Sequence, residues 1–162
     1  MPSANQRRIG WVRKQRDAKH LIIGVLLVIV GVVLVYLGLS RFGSRSTVKI
    51  GNNVIKVQIA DNPDTYAKGL SGRDSLAADE GMLFVFERPA QPGFWMKDMK
   101  FPIDIIWISQ DKEVVAITPS LGVDSYPATF RPPEPVLYVL EVNAGISARN
   151  GWLAGDSVEI NL

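Results

Sequence analysis

Two acidic residues stand inside apolar stretches of the sequence and could carry chemistry. Asp104 interrupts the stretch Ile103–Trp107, and Glu141 interrupts a second apolar stretch near the C-terminus. An ionised carboxylate is costly to bury unless an opposite charge or hydrogen bonds compensate it, and Arg73 and Lys97 are candidate partners. Two carboxyl groups with separated pKa values would supply the acid and the base of a hydrolase of sugars. The alternative, which we favour, is a structural ion pair or a carboxylate that binds backbone at a strand end.

An aromatic segment at residues 94–96 is a candidate ligand-binding surface. Trp95 precedes the charged residues Lys97 and Asp98, and an exposed indole beside them could line a groove. With Arg73, these three residues form the predicted binding set. In a strand, however, Trp95 would face one side and its two apolar neighbours the other, so part of this segment is expected to be core.

The composition excludes several kinds of active site. The 162 residues contain no cysteine and a single histidine, His20. A disulfide framework, a Cys/His zinc site, a thiol nucleophile and a histidine-based triad therefore cannot form downstream of residue 20. Asp98, Asp104 and Glu141 together could offer oxygen ligands to calcium or magnesium, but their spacing matches no known metal-binding loop. We predict no metal and no cofactor.

The charge is distributed unevenly along the chain. Residues 1–20 carry a net charge of +5, from six Lys or Arg and one Asp, whereas residues 46–162 carry −5, from ten basic and fifteen acidic residues. An acidic domain is poorly suited to neutralising phosphates, which argues against nucleic-acid binding.

The basic N-terminal tail precedes a segment with the properties of a membrane anchor. Leu21–Leu39 contains nineteen residues without a charge, and a helix of this length spans about 28 Å, close to the thickness of the hydrocarbon core. The excess of basic residues before Leu21 predicts a cytoplasmic N-terminus. A cleaved signal peptide is the alternative, but the apolar run is long and no A-x-A cleavage site follows. We predict a cytoplasmic tail (1–20), an anchor (21–39) in the lipid bilayer of the cytoplasmic membrane, a linker (40–46) and a periplasmic or extracellular domain (47–162).

Glycines recur along this apolar segment. Gly24, Gly31 and Gly38 are seven residues apart, so on a helix they form one nearly continuous seam of small residues. Such a seam permits close approach of another helix, from a membrane protein partner or from a second copy. Chance alignment of glycines, which are common in membrane helices, is the alternative.

The downstream chain is patterned mainly for strands. A helix is predicted from Asn62-Pro63 to Gly69 or Gly72, and a second short helix, capped by Asn143, is predicted to end at Asn150-Gly151. Turns are predicted at Gly51-Asn52-Asn53 and at residues 110–112. The predicted strands are Thr47–Ile50, Ile55–Ile59, Met82–Phe86, Phe94–Lys97, Ile103–Ser109, Glu113–Thr118, Val136–Val142 and Ser157–Leu162.

This pattern predicts the fold class. Many short strands with only two short helices favour a compact β-sandwich or a partly open barrel, preceded by one transmembrane helix. A parallel βαβ fold would need crossover helices, which the pattern does not provide.

Five blocks resemble, in order and spacing, the uncharacterised family catalogued as domain of unknown function 192: Gly69–Arg73, Gly81–Phe86, Phe94–Asp98, Ile103–Trp107 and Tyr138–Gly145. The resemblance covers about residues 48–160 and implies a mainly β fold of the kind found in small exported or membrane-anchored proteins. It implies no activity, since the family has none agreed. Members usually carry asparagine where Asp98 stands here, and the cysteine that many have before a late tyrosine is missing from Val123–Tyr126. Any redox or metal role of that cysteine therefore cannot operate in this chain.

Together these features predict a single-pass, membrane-anchored domain that acts as a non-enzymatic binding or assembly accessory. The alternative is a carboxylate-dependent hydrolase or carbohydrate-active enzyme that uses Asp104 and Glu141. The arrangement of these two side chains discriminates between the hypotheses, because a hydrolase needs them to converge in an open cleft.

Overall fold

The computed structural model describes residues 46–162. The predicted tail, the predicted anchor with its glycine seam, and the linker up to residue 45 lie outside the described residues. Within 46–162, no helix has the length and apolar character needed to cross a membrane.

Seven strands and two short α-helices make up the described domain. Helix α1 spans Pro63–Lys68 and helix α2 spans Ile146–Arg149, and a single 3-10 turn spans Val123–Ser125. The strands are β1 (Thr47–Ile50), β2 (Asn53–Ala60), β3 (Glu80–Ala90), β4 (Ile103–Ile108), β5 (Val114–Leu121), β6 (Val136–Asn143) and β7 (Val158–Asn161).

All seven strands belong to one curled sheet with the order β5-β4-β6-β3-β2-β1-β7. The two edge strands approach each other at one end, where Glu113 forms an isolated bridge with Ser157 and the Val158 amide donates to the Lys112 carbonyl at 2.8 Å. The mainly β prediction with two short helices is therefore confirmed. Of the two predicted architectures, the sandwich is wrong, because the strands curl as one half-barrel sheet instead of stacking as two.

One strand pair of the sheet is parallel. Strands β2 and β3 are parallel, with Val57 opposite Gly81 and Ile59 opposite Leu83, and all other strand pairs of the described sheet are antiparallel. The crossover that a parallel pair needs is supplied by residues 61–79, which contain α1. The sequence pattern argued against a parallel βαβ fold because it provides no long crossover helices, and this one connection is made by a six-residue helix together with its loop.

Each face of the sheet carries its own apolar cluster. The inner cluster draws on all seven strands and on α2, and contains Val48, Ile50, Ile55, Val57, Leu83, Ile106, Ile108, Val114, Leu140, Val142, Ile146, Trp152 and Val158. The outer cluster covers the central strands and contains Ala60, Leu70, Met82, Phe84, Phe94, Met96, Ile103, Ile105, Trp107, Leu121, Val136 and Val139. Because residues of the 61–79 and 91–102 connections join the outer cluster, these loops cover the outer face.

The predicted turns and first helix follow local sequence rules. The Asn62 side chain accepts a hydrogen bond from the Thr65 amide, and the Thr65 hydroxyl accepts one from the Asn62 amide. Pro63 occupies the first helical position. Gly69 ends α1 with a φ of +47°, a conformation that favours glycine. The β1–β2 turn at Gly51 and the β4–β5 turn at Lys112 also lie where predicted.

Two local predictions are wrong. Residues 94–97 form no strand, and only Phe94 pairs, through an isolated bridge with Phe130. Asn143 does not cap α2, whose first cap is Gly145. The Asn143 side-chain amide instead donates to the carbonyls of Leu76 and Ala77, and so holds the loop after α1 against β6.

Candidate functional site

Asp104 is fully buried at the end of β4, on the inner face of the sheet. Its Oδ1 accepts hydrogen bonds from the Ser120 amide at 2.8 Å and the Gly145 amide at 3.0 Å. Its Oδ2 accepts from the Ser147 amide at 2.9 Å and the Ser147 hydroxyl at 2.7 Å. The carboxylate thus joins β4, the end of β5 and the first turn of α2.

This hydrogen bonding decides the protonation of Asp104. Burial alone would raise the pKa of the carboxyl group, but the bonds from the Ser147 side chain and from three backbone amides outweigh it, and the pKa lies below its usual value. A buried carboxylate with a low pKa and both oxygens occupied is poorly placed to exchange protons with a substrate. Its geometry is that of a backbone-binding acid at a strand end.

Glu141 lies on the opposite, outer face of the sheet. Its neighbours Leu140 and Val142 belong to the inner cluster, so alternation along β6 directs Glu141 outward, between Met82 and Ile105 on the adjacent strands. The residue is only 5% exposed, and its Oε2 has no hydrogen-bond partner.

The pKa of Glu141 is raised to about 8. Burial is the main cause, and the positive charge of Arg73 opposes it only in part. At neutral pH the group is therefore mainly an uncharged carboxylic acid, which can both donate and accept a hydrogen bond.

The structure does not bring the two acids together. Asp104 and Glu141 face opposite sides of the same sheet, so they form no carboxylate pair across a cleft. Asp98 is exposed, and residues 46–162 contain no group of three acidic, histidine or cysteine side chains that could hold a metal ion.

Glu141 instead contributes to a cavity on the outer face, which we call the Glu141 cavity. Its volume is about 100 Å³. Helix α1, the start of the following loop, β3, the loop from 91 to 102, and β6 all contribute to it. The lining residues are Tyr66, Ala67, Lys68, Gly69, Leu70, Ser71, Phe84, Phe86, Gly93, Phe94, Trp95, Met99 and Glu141.

Aromatic rings form much of the cavity wall. The Tyr66 ring stacks on Phe86 with a centroid distance of 5.0 Å, and Phe84 meets Phe94 edge to face at 4.7 Å. The Tyr66 hydroxyl donates to the Val85 carbonyl at 2.5 Å, which holds α1 against β3. Edge-to-face and offset contacts of this kind fix the orientation of the rings.

The backbone at Gly69 lies close to the carboxyl group of Glu141. A Cβ atom at this position would lie 3.4 Å from Phe84 Cζ and 3.8 Å from Glu141 Oε2. A side chain at this position would therefore contact Phe84 and approach the Glu141 carboxyl group, and the positive φ independently favours glycine.

Trp95 stands at the rim of the cavity. Its side chain is 51% exposed, whereas Phe94 and Met96 are buried in the outer cluster. One part of this segment is thus core and the other is surface, although its backbone is not a strand.

The other predicted binding residues support this rim without lining it. The Lys97 carbonyl accepts from the Ser71 hydroxyl at 2.8 Å, and the Asp98 carbonyl accepts from the Gly72 amide at 2.8 Å. Both side chains are exposed. Arg73 donates to the Gln58 side chain at 2.7 Å, and its charge acts on Glu141.

Sequence reasoning selected Glu141 and Trp95 but missed Tyr66, Gly69 and Phe84. Tyr66 lies in α1, Gly69 directly follows this helix, and Phe84 lies in β3, which a loop separates from the helix. The signal that could have found Phe84 is the alternation of faces along each strand. Phe84 shares a face with Met82, and Glu141 shares one with Val139. This alternation does not predict that α1 lies over that face.

The fold and the site define a class: a curled, single-sheet β domain with a small aromatic cavity around a buried glutamate on its outer face. The chain belongs to the DUF192 family, described as an uncharacterized ACR, whose family model matches residues 46–160. No curated protein matches the chain.

Solved structures with similar folds include two bacterial proteins. One, from Sinorhizobium meliloti 1021, is described as a candidate transcription regulator; it is 31% identical, with a TM-score of 0.69, over 72% of this chain and 94% of that chain. The other, a protein of unknown function from Novosphingobium aromaticivorans DSM 12444, is 33% identical, with a TM-score of 0.67, over 70% of this chain and 83% of that chain.

Proposed function

We propose that residues 47–162 form a non-enzymatic binding domain, and that the Glu141 cavity takes up a small chemical group of its ligand. The observation that carries this proposal is the unpartnered Glu141 Oε2 among aromatic residues. Buried polar groups are normally hydrogen-bonded, and one without a partner needs an explanation. A ligand that bonds to the carboxyl group would supply the missing partner.

The geometry favours binding over the alternative of a carboxylate-dependent hydrolase. That reaction needs two carboxyl groups on either side of the scissile bond, whereas Asp104 lies across the sheet from Glu141. Asp104 also has both oxygens occupied by hydrogen bonds. A binding or assembly accessory needs no second carboxyl group, and Glu141 is the one acidic residue in the cavity lining.

Nucleic-acid binding is not part of the proposal, although one structural neighbour is described as a candidate transcription regulator. The net charge of −5 over residues 46–162 opposes the approach of a phosphate backbone.

We further propose that Leu21–Leu39 anchors this domain in the cytoplasmic membrane with residues 1–20 in the cytoplasm. The uncharged segment and the basic residues before it support this topology. An enzyme reporter that is active only outside the cytoplasm, fused after Leu162, should then be active. Activity of a cytoplasmic reporter at the same position would overturn the topology.

The binding proposal is tested by ligand-observed NMR with a fragment library and the full chain. Fragments should receive saturation from the protein, and Gly69→Leu, which places a side chain in the Glu141 cavity, should abolish the transfer. The control is Gly51→Leu, also at a positive φ but with open space around it, which should leave binding intact. If no fragment binds, or if both variants behave alike, the proposal is wrong.

A further inference from the structure

The chemistry of the Glu141 cavity restricts the group that it can hold. The Glu141 cavity, at about 100 Å³, is much smaller than the roughly 300–1,000 Å³ of sites that enclose a whole drug-sized ligand, so it can hold only a small group of a larger ligand. The aromatic wall favours an apolar portion of that group, and the carboxyl group of Glu141 requires a polar portion.

The charges around Glu141 disfavour a cationic group. Lys68, in the last turn of α1, lines the cavity, and Arg73 lies close enough to affect the protonation of Glu141. A ligand ammonium would meet these two positive charges, and it would have to displace the proton of the acid. Tyr66 also faces the cavity, but its pKa is raised above the ordinary 10 by burial and by the charges of Asp61 and Glu87, so it stays neutral.

An anionic group is disfavoured by desolvation. A carboxylate would have to leave water for an aromatic wall, which is costly without a full set of hydrogen bonds. The two nearby cations do not supply such a set: Arg73 does not line the cavity and donates to Gln58, and the Lys68 side chain is exposed to water. A neutral hydrogen-bond acceptor complements an uncharged carboxylic acid, and the carbonyl group of a secondary amide is such an acceptor.

The rim of the cavity indicates which kind of ligand the amide group belongs to. Trp95 lines the cavity and exposes about half of its surface. A flat, exposed indole beside a small pocket is suited to the apolar face of a sugar ring, whose C–H groups pack on aromatic rings.

We propose that the Glu141 cavity binds the acetamido group of an N-acetylated sugar, with the sugar ring packed on Trp95. The acetyl methyl group packs against the aromatic wall, and the carbonyl oxygen accepts a hydrogen bond from the protonated carboxyl group of Glu141. The amide N–H points away from this carboxyl group, because a secondary amide is trans. This inference rests on the proposed binding function and specifies the ligand.

The test uses saturation-transfer NMR on the full chain in a detergent without a sugar headgroup. The fragments acetamide, acetate and isopropylammonium have equal numbers of non-hydrogen atoms but different charges. Acetamide should bind at least tenfold more tightly than the other two. N-acetylglucosamine should bind more tightly than acetamide, with the strongest saturation on its methyl group, and glucose should not bind.

The pH dependence provides a readout that needs no variant. Only the neutral form of Glu141 donates to the carbonyl, so affinity should fall as the pH rises through about 8. By pH 9.5 the neutral fraction, and with it the affinity, should be about 30-fold lower than at pH 7. Glu141→Gln, which keeps a donor and an acceptor, should still bind and should lose this pH dependence.

The rim is tested separately. Trp95→Ala should weaken N-acetylglucosamine binding about tenfold more than it weakens acetamide binding, because only the sugar ring packs on the exposed face of the indole. Equal effects on both ligands would overturn the assignment of Trp95.

The outcomes separate the two proposals. Preferential binding of isopropylammonium, with affinity that increases with pH, would overturn the acetamido assignment and leave the binding function in place. Preferential binding of acetate would do the same. If no fragment of any charge binds, the proposed function itself falls.

Discussion

Asp104 and Glu141 are both buried carboxyl groups, and their surroundings shift their pKa values in opposite directions. Four hydrogen bonds compensate the charge of Asp104, whereas Glu141 has a single opposing influence, the nearby charge of Arg73. Desolvation is common to both, so the difference arises from hydrogen-bond donors. One acid therefore acts as a structural anion and the other as a neutral polar group in a cavity.

Substitution of Asp104 by asparagine should destabilise the domain by about 3 kcal/mol at pH 7, because an amide NH2 cannot accept from the amide N–H groups that the carboxylate now binds. Urea unfolding measures this loss. Because the folded pKa is lowered, the stabilisation is present above the unfolded value near 3.8 and is lost as the pH falls through the folded one. The difference between wild type and Asp104→Asn should therefore shrink in acid.

Asp111→Asn, in the exposed β4–β5 turn, is the control and should change the stability by less than about 0.5 kcal/mol. Equal stability of Asp104→Asn and wild type would contradict the structural role of this acid.

The stability of the wild-type domain should decrease between pH 5 and pH 8 because of Glu141. The unfolded carboxyl group releases its proton near pH 4.5, but the folded one keeps it up to about pH 8. Across this window a rising pH favours the unfolded state, by about 3 kcal/mol at pH 7 relative to the fully protonated limit. Unfolding curves of Glu141→Gln should lack this slope, and identical slopes for the two proteins would show that Glu141 ionises normally.

Helix α1 is the element that closes one side of the Glu141 cavity. It has only six residues, too few to be stable alone, so its position depends on its cap and on the contact between Tyr66 and β3. Asn62→Ala removes the side-chain cap and should cost about 1 kcal/mol. Thermal unfolding checks this value, with the exposed turn variant Asn52→Ala as the control.

The same substitution should also weaken fragment binding to the cavity, since fraying of α1 displaces Tyr66 from the wall. Loss of stability without any loss of binding would show that α1 does not determine the shape of the cavity.

At the scale of the whole molecule, the apolar segment before the domain gives a prediction about association. If Gly24, Gly31 and Gly38 form a helix-packing seam, Gly31→Leu should weaken association in a membrane two-hybrid assay, because a larger side chain prevents close approach. Val32→Leu, which lies off the seam, should have no effect. Equal effects of the two substitutions, or none, would reduce the segment to a simple tether.

Local features of this domain were determined by the sequence itself. Alternation of apolar and polar residues located β2, and nearly continuous apolar runs located β4 and β6. The Asn62-Pro63 pair located the start of α1, because these signals depend only on neighbours in the chain. The burial of Asp104 and Glu141 also followed from their apolar neighbours. These features need no information about distant segments.

Only the tertiary structure decided how these pieces meet. Alternation within one strand shows that neighbouring residues face opposite sides, but it does not relate the faces of β4 and β6 to each other, and their pairing in register placed Asp104 and Glu141 on opposite sides. The parallel pairing of β2 and β3 likewise joins segments separated by a 61–79 connection. The cavity exists because that connection and the 91–102 loop cover the outer face, and such long-range packing leaves no periodic trace in the sequence.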